Sequence, residues 1–168
     1  MNWEAISAIG EIAGAIAVIA TIGYLAVQIR QNTAALRSVA TQGVTDQAAL
    51  TYHALCTDPE LATIFIRGCN TPDELKDSET ARFYSFWLMT LFHMQNWYFQ
   101  TRDGLIANTL LESWVRILQQ IVTSQGFQKF WNDRRFIFSP EFQKFVDEEG
   151  FGKASDAVYS PLGIAAKQ

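Results

Sequence analysis

The sequence predicts an all-α protein, with one N-terminal transmembrane helix extended into the cytoplasm and a small helical bundle after it. Residues 12–29, IAGAIAVIATIGYLAVQI, run 18 positions without a formal charge. As a helix they cover about 27 Å, close to the hydrocarbon thickness of a bilayer. Three of the four prolines stand in helix-start signatures, Asp58-Pro59-Glu60, Thr71-Pro72-Asp73 and Ser139-Pro140-Glu141, where an N-cap acceptor precedes proline and an acid occupies the first turn. No segment shows the strict two-residue alternation of a half-buried strand. The expected organisation is a transmembrane helix over 1–30, a juxtamembrane helical stalk over 31–57, a cytoplasmic bundle over 58–149 and an irregular tail over 150–168.

The first thirty residues are read against three alternatives. A signal peptide wants a cationic start, and this one has Glu4 and no Lys or Arg. A surface helix needs a charged face, which residues 12–29 lack. A buried helix of a soluble core is seldom this long and apolar on all sides. On a 3.6-residue wheel Gly10, Gly14, Ala17, Thr21, Tyr24 and Gln28 form one stripe, with Ile12, Ile16, Ile19, Ile22, Leu25 and Ile29 spread opposite. Helices associate in lipid by close approach at small residues and by hydrogen bonds between polar side chains. The stripe is therefore read as a helix-packing face toward a second copy or another membrane protein. Glu4 and Glu11 lie seven residues apart on one side of the same helix. They are read as candidate ion-interacting residues at a pore mouth, or as acids near a helix N-terminus where the dipole favours them.

Arg30 and Arg37 follow the apolar run, and no cation precedes it. The positive-inside rule then places the N-terminus outside and the rest in the cytoplasm. Both arginines can contact lipid headgroups. Charged residues make up 18%, aromatics 13%, and the formal net charge is -4. Such a chain can bury a sizeable core, and it lacks the basic stripe of a nucleic-acid binder. Membrane lipid and a homo-oligomeric or membrane-protein partner are expected instead. Cys56 and Cys69 form no CxxC pair and are expected reduced and buried in a cytoplasmic domain.

Beyond Arg30 the helix is expected to continue, unbroken or with a break near Gly43, with Leu36, Val39, Gly43, Leu50 and Leu55 at roughly helical spacing. The helix after Asp58 should end at Gly68. Residues 78–101 form the core helix, with Phe83, Trp87, Leu91, Met94 and Tyr98 on one face and Ser85, His93, Asn96 and Gln100 on another. Its uncharged run raises the question of a second span, which its polar residues make costly. Asp103-Gly104 ends it. Asn108 can cap the next helix, whose stripe is Leu111, Trp114, Leu118 and Ile121. Gly126 separates that helix from FQKFWNDRRF, and a last short helix runs from Ser139 to Glu149, closed by Gly150.

No motif dictates a reaction. There is no ExxH pair, no HExxH and no GK[ST] loop, so neither cofactor nor metal is expected. His93 is read as part of a satisfied polar network in the core. Arg134 and Arg135 beside Trp131 can grip anionic headgroups or a partner's carboxylates, or pair with Asp133 and Glu141 in a solvated turn.

The N-terminal motifs W-E, G-E-I-x-G-A-I-A-V and Y-L-A-x-Q-I-R-x-N-T, with the later GFQKFWNDRRFIFSPEFQKFVDE, resemble a group of bacterial single-pass inner-membrane proteins. The likeness covers the chain to about residue 149. It implies a bacterial inner-membrane setting and an all-helical cytoplasmic part, and it carries no activity over to any residue. The functional expectation is a structural or regulatory membrane protein that associates through the Gly10, Gly14 and Ala17 face. A small cation channel with a Glu11 ring is the alternative, and a membrane-associated enzyme using His93 is the second.

Overall fold

The computed structural model describes residues 2–154, and every regular element among them is helical. The helices are α1 (Trp3–Thr57), α2 (Pro59–Asn70), α3 (Asp77–Arg102), α4 (Asn108–Ile121), α5 (Gln125–Arg134) and α6 (Pro140–Phe145). Single 3-10 turns lie at Pro72–Glu74 and Arg135–Ile137. A π-helical turn, Val146–Gly150, and a 3-10 turn, Phe151–Lys153, follow α6. Of the tail expected over 150–168, residues 155–168 lie outside the described residues. The chain divides into two units, Met1–Val39 and Ala40–Gln168, with the boundary inside α1.

In the first unit α1 is long and apolar enough to cross a membrane, and none of its apolar window is buried. Ten aliphatic side chains between residues 6 and 29 are at least half exposed. Burying one such side chain is worth about 1.5–3 kcal/mol, so exposure on this scale forgoes roughly 10–20 kcal/mol. That matches or exceeds the whole stability of an ordinary domain. The polar groups of α1 are partly satisfied within the helix: the Thr21 hydroxyl donates to the Ala17 carbonyl at 2.8 Å, the back-bond by which a threonine avoids leaving a donor unpaired.

The second unit is a bundle around an aromatic core. Phe65 of α2 packs edge-on against Phe86 and tilted against Phe83 and Trp87 of α3. From α5, Phe127, Phe130 and Trp131 are fully buried, as are Phe142 and Val146. Edge-to-face ring pairs of this kind add about 0.5–1.5 kcal/mol beyond area burial. α2 and α5 meet where both carry glycine. A Cβ on Gly126 would lie 1.9 Å from the Gly68 carbonyl oxygen, and one on Gly68 would lie 2.5 Å from the Phe83 ring. Residues 40–57 of α1 belong to this unit, with Val44 and Thr51 buried and Ala40, Ala48 and Leu55 against the core.

The helix starts follow local chemistry. Asp58 caps α2 by accepting from the Leu61 N–H at 2.9 Å, Ser124 caps α5 from Phe127, and Ser139 caps α6 from Phe142. Arg82 of α3 reaches both Asp58 and Glu60, while Glu79 accepts from the Lys76 N–H and pairs with Arg67 at 3.0 Å. These contacts hold the Asp58 and Glu79 carboxyls below their usual pKa, in each case chiefly through the backbone N–H they accept. Gly104, at φ +73°, is the left-handed residue between α3 and α4.

Several local expectations are corrected. α1 takes the unbroken one of its two expected courses at Gly43, and the face it buries is Ala40, Val44, Ala48, Thr51 and Leu55, whereas Leu36, Val39 and Leu50 are exposed. Both sets have helical spacing. α2 runs past Gly68 to Asn70 because Gly68 is buried against Phe83 as a packing position. Thr71-Pro72-Asp73 opens only a single turn, and α3 begins at Asp77. Asn108 is the first residue of α4, with Ala107 at the cap position, and Gly126 lies inside α5. Cys56 is exposed, and only Cys69 is buried.

Candidate functional site

The second unit contains an apolar cavity of about 280 Å³. Its walls come from four elements: Ala48, Thr51, Tyr52 and Leu55 of α1, Ala62, Phe65 and Ile66 of α2, Phe86, Trp87, Thr90, His93, Met94 and Trp97 of α3, and Trp114, Ile117 and Ile121 of α4. The cavity is partly open to solvent. α3 contributes most because its apolar stripe and the adjoining polar positions follow one helical surface, so Trp87, Thr90, Met94 and Trp97 recur at three- and four-residue steps with His93 beside Met94. No Asp, Glu, Lys or Arg occurs among the lining residues.

The polar groups of the walls divide into those already used and those left over. Thr51 donates to the Gln47 carbonyl and Thr90 to the Phe86 carbonyl at 2.8 Å. The Trp97 indole N–H donates to Gln47 Oε1 at 3.2 Å, tying α3 to α1, and its ring lies 4.4 Å from that of Trp114. Trp87 Nε1 and His93 Nδ1 are buried with no hydrogen-bond partner among the described residues, as are Gln100 Oε1 and Thr101 Oγ1. His93 lies over Trp97, the rings 6.5 Å apart and nearly parallel. Burial pushes its pKa below the ordinary value of 6.5, so it is neutral at pH 7. The expected satisfied network around His93 is not formed: Ser85 and Asn96 are exposed, while His93 and Gln100 are half-buried.

Nucleophilic chemistry has little support in this arrangement. The cavity walls contain neither Ser nor Cys. The Cys69 thiol, in the core elsewhere, is pushed up to about 12 by burial, against the opposing hydrogen bond of Ser124, and a thiol in that range is inert as a nucleophile. No group of three or more potential metal ligands occurs among the described residues.

The other predicted residues fall as follows. Gly10 and Gly14 have open space where a Cβ would stand, and Gln28 donates to the Tyr24 hydroxyl at 2.6 Å, leaving the Tyr24 proton free to reach outward. Glu4 and Glu11 are exposed, as are Arg30 and Arg37. Trp131 is buried, and its Nε1–H donates to Asp147 at 3.1 Å. Arg135 joins the same Asp147 and lies over the Trp131 ring, while Arg134 lies over Tyr84, whose hydroxyl donates to Asp133. Glu141 pairs instead with Arg102 at 2.9 Å, so the expected pairing of the arginine turn with Asp133 and Glu141 is replaced by contacts from α3 and from the π-turn. The sequence placed His93 beside polar neighbours, named Trp87 and Trp114 only as stripe residues, and missed Trp97; the signal was its position four residues after His93 on the same helix.

Comparison with family models, with curated proteins and with solved structures yields no match.

Proposed function

We propose that this chain is a membrane-anchored structural or regulatory protein. The residue 3–39 unit spans the bilayer and associates through its small-residue stripe, and the helical bundle serves a partner on the cytoplasmic side. The observation that carries this reading is the uncovered apolar surface of α1, exposed all round between residues 6 and 29, which lipid would cover. Within that surface, open space at the Cβ positions of Gly10 and Gly14 leaves one stripe where two backbones can approach closely. The bacterial inner membrane is the proposed setting, on the resemblance of the N- and C-terminal motifs. Arg30 and Arg37, exposed after the apolar run, support the orientation with the bundle inside.

The test is the protein-only mass of the detergent-solubilised particle for wild type and Gly14→Ile. The expected result is a defined complex that loses its association at least tenfold in the variant, equivalent to about 1.4 kcal/mol. An unchanged complex in Gly14→Ile, or a wild-type monomer without any co-purifying membrane protein, refutes the packing face. Extraction of wild type from membranes by alkaline carbonate refutes the span itself.

A further inference from the structure

We propose that the cavity among α1, α2, α3 and α4 is a binding site for a small, uncharged aromatic molecule of about two rings. This goes beyond the membrane reading and does not depend on it, because every wall belongs to the second unit.

Size comes first. An engineered cavity of about 150 Å³ lined by aliphatic and aromatic side chains stays dry and takes up benzene. The 280 Å³ here is nearly twice that, room for a bicyclic ring system. Charge comes next. The walls hold no Asp, Glu, Lys or Arg, and burial keeps His93 neutral, so a charged ligand would lose its hydration with no counter-charge to replace it. Aromatic character follows from Trp97 and Trp114, 4.4 Å apart at a 45° tilt, with Trp87 also among the walls. Flat faces of this kind favour a flat guest through offset or edge contacts.

The leftover polar atoms do not add to the class: Trp87 Nε1 and His93 Nδ1 belong to wall residues but are buried without accessible surface, so the guest meets the apolar faces of the walls. The site therefore selects an uncharged, apolar ring body, in keeping with the mostly apolar lining that marks small-molecule sites.

The full-length protein in lipid nanodiscs is titrated with 2-naphthol, naphthalene and 2-naphthoate, and saturable binding is read by ligand-observed NMR and isothermal titration. Ala48→Leu and Ala62→Leu, which fill the cavity with aliphatic volume, serve as controls because the same nanodisc lipid absorbs the same unspecific share of probe. Circular dichroism verifies that each variant folds. The expected result is one saturable site for 2-naphthol, at least tenfold weaker in whichever filled variant folds, with naphthoate excluded. Naphthalene is expected to bind the same site and to be lost in the same filled variants. Absence of a saturable site in wild type, equal binding in a folded filled variant, or naphthoate binding as well as naphthol overturns the proposal.

Discussion

The contact between Gly68 and Gly126 yields the sharpest prediction, because two opposing effects of one methyl group can be weighed from the geometry. Gly126→Ala adds a Cβ that would stand 1.9 Å from the Gly68 carbonyl oxygen and 2.9 Å from the Phe83 ring. Ordinary contact needs about 3.4 Å or more, so α5 must retreat by roughly 1.5 Å from backbone that no side-chain rotation can move. Overpacking of this kind costs about 1–3 kcal/mol, and a backbone obstacle puts this site at the upper end. Alanine regains up to about 1 kcal/mol of helix propensity over glycine. The steric term wins, and a net loss of about 2 kcal/mol lowers the unfolding midpoint of the bundle by roughly 10 °C. Gly43→Ala is the counterpart: it is also inside a helix, but with nothing within 4 Å of its Cβ, so only the propensity gain remains, about 0.5–1 kcal/mol of added stability. Thermal unfolding followed by near-ultraviolet circular dichroism separates the pair. A Gly126→Ala variant as stable as wild type would show that α2 and α5 are not packed backbone to backbone.

Acid should destabilise the bundle in two stages of different origin. The Asp58 and Glu79 carboxyls are held below their ordinary pKa by the Leu61 and Lys76 N–H groups, so their contribution is complete above about pH 4–5 and is lost as pH falls through the depressed values. Asp58→Asn combined with Glu79→Gln is expected to flatten that limb of a stability–pH curve measured by urea unfolding. His93, with its pKa depressed by burial, stays neutral in the folded state while the unfolded chain takes up a proton, so stability also declines as pH falls from about 6.5 toward the folded value. His93→Phe should remove this upper limb, and its persistence in the variant would refute the assignment. The cysteines differ as probes. At pH 8 a maleimide should modify exposed Cys56 within minutes and leave Cys69 untouched until the protein unfolds, since a thiol near 12 is thiolate only on the order of one part in ten thousand. In intact spheroplasts a membrane-impermeant maleimide should reach Cys56 only after permeabilisation; labelling beforehand would reverse the proposed orientation.

What could be read from the chain alone were features set by neighbours in sequence. The run of 18 uncharged residues at 12–29 could be read as long and apolar enough to cross a membrane, because length and apolar area are sums over side chains. Asp58 and Ser139 announce helix starts because a cap acts within three residues. The aromatic stripe of α3 was legible because a helix repeats every 3.6 residues. Tertiary structure decided what two distant segments do to each other. It turned Gly68 and Gly126 from helix punctuation into the closest approach of α2 and α5. It buried Ala40, Val44, Ala48 and Thr51 on one face of residues 40–57 and left Leu50 exposed, and it sent Asp147, rather than Glu141, to Arg135. The cavity is the clearest case. Its walls reach from Ala48 to Ile121, and a void exists only where four packed surfaces fail to fill the space between them, a property carried by none of the four stretches separately.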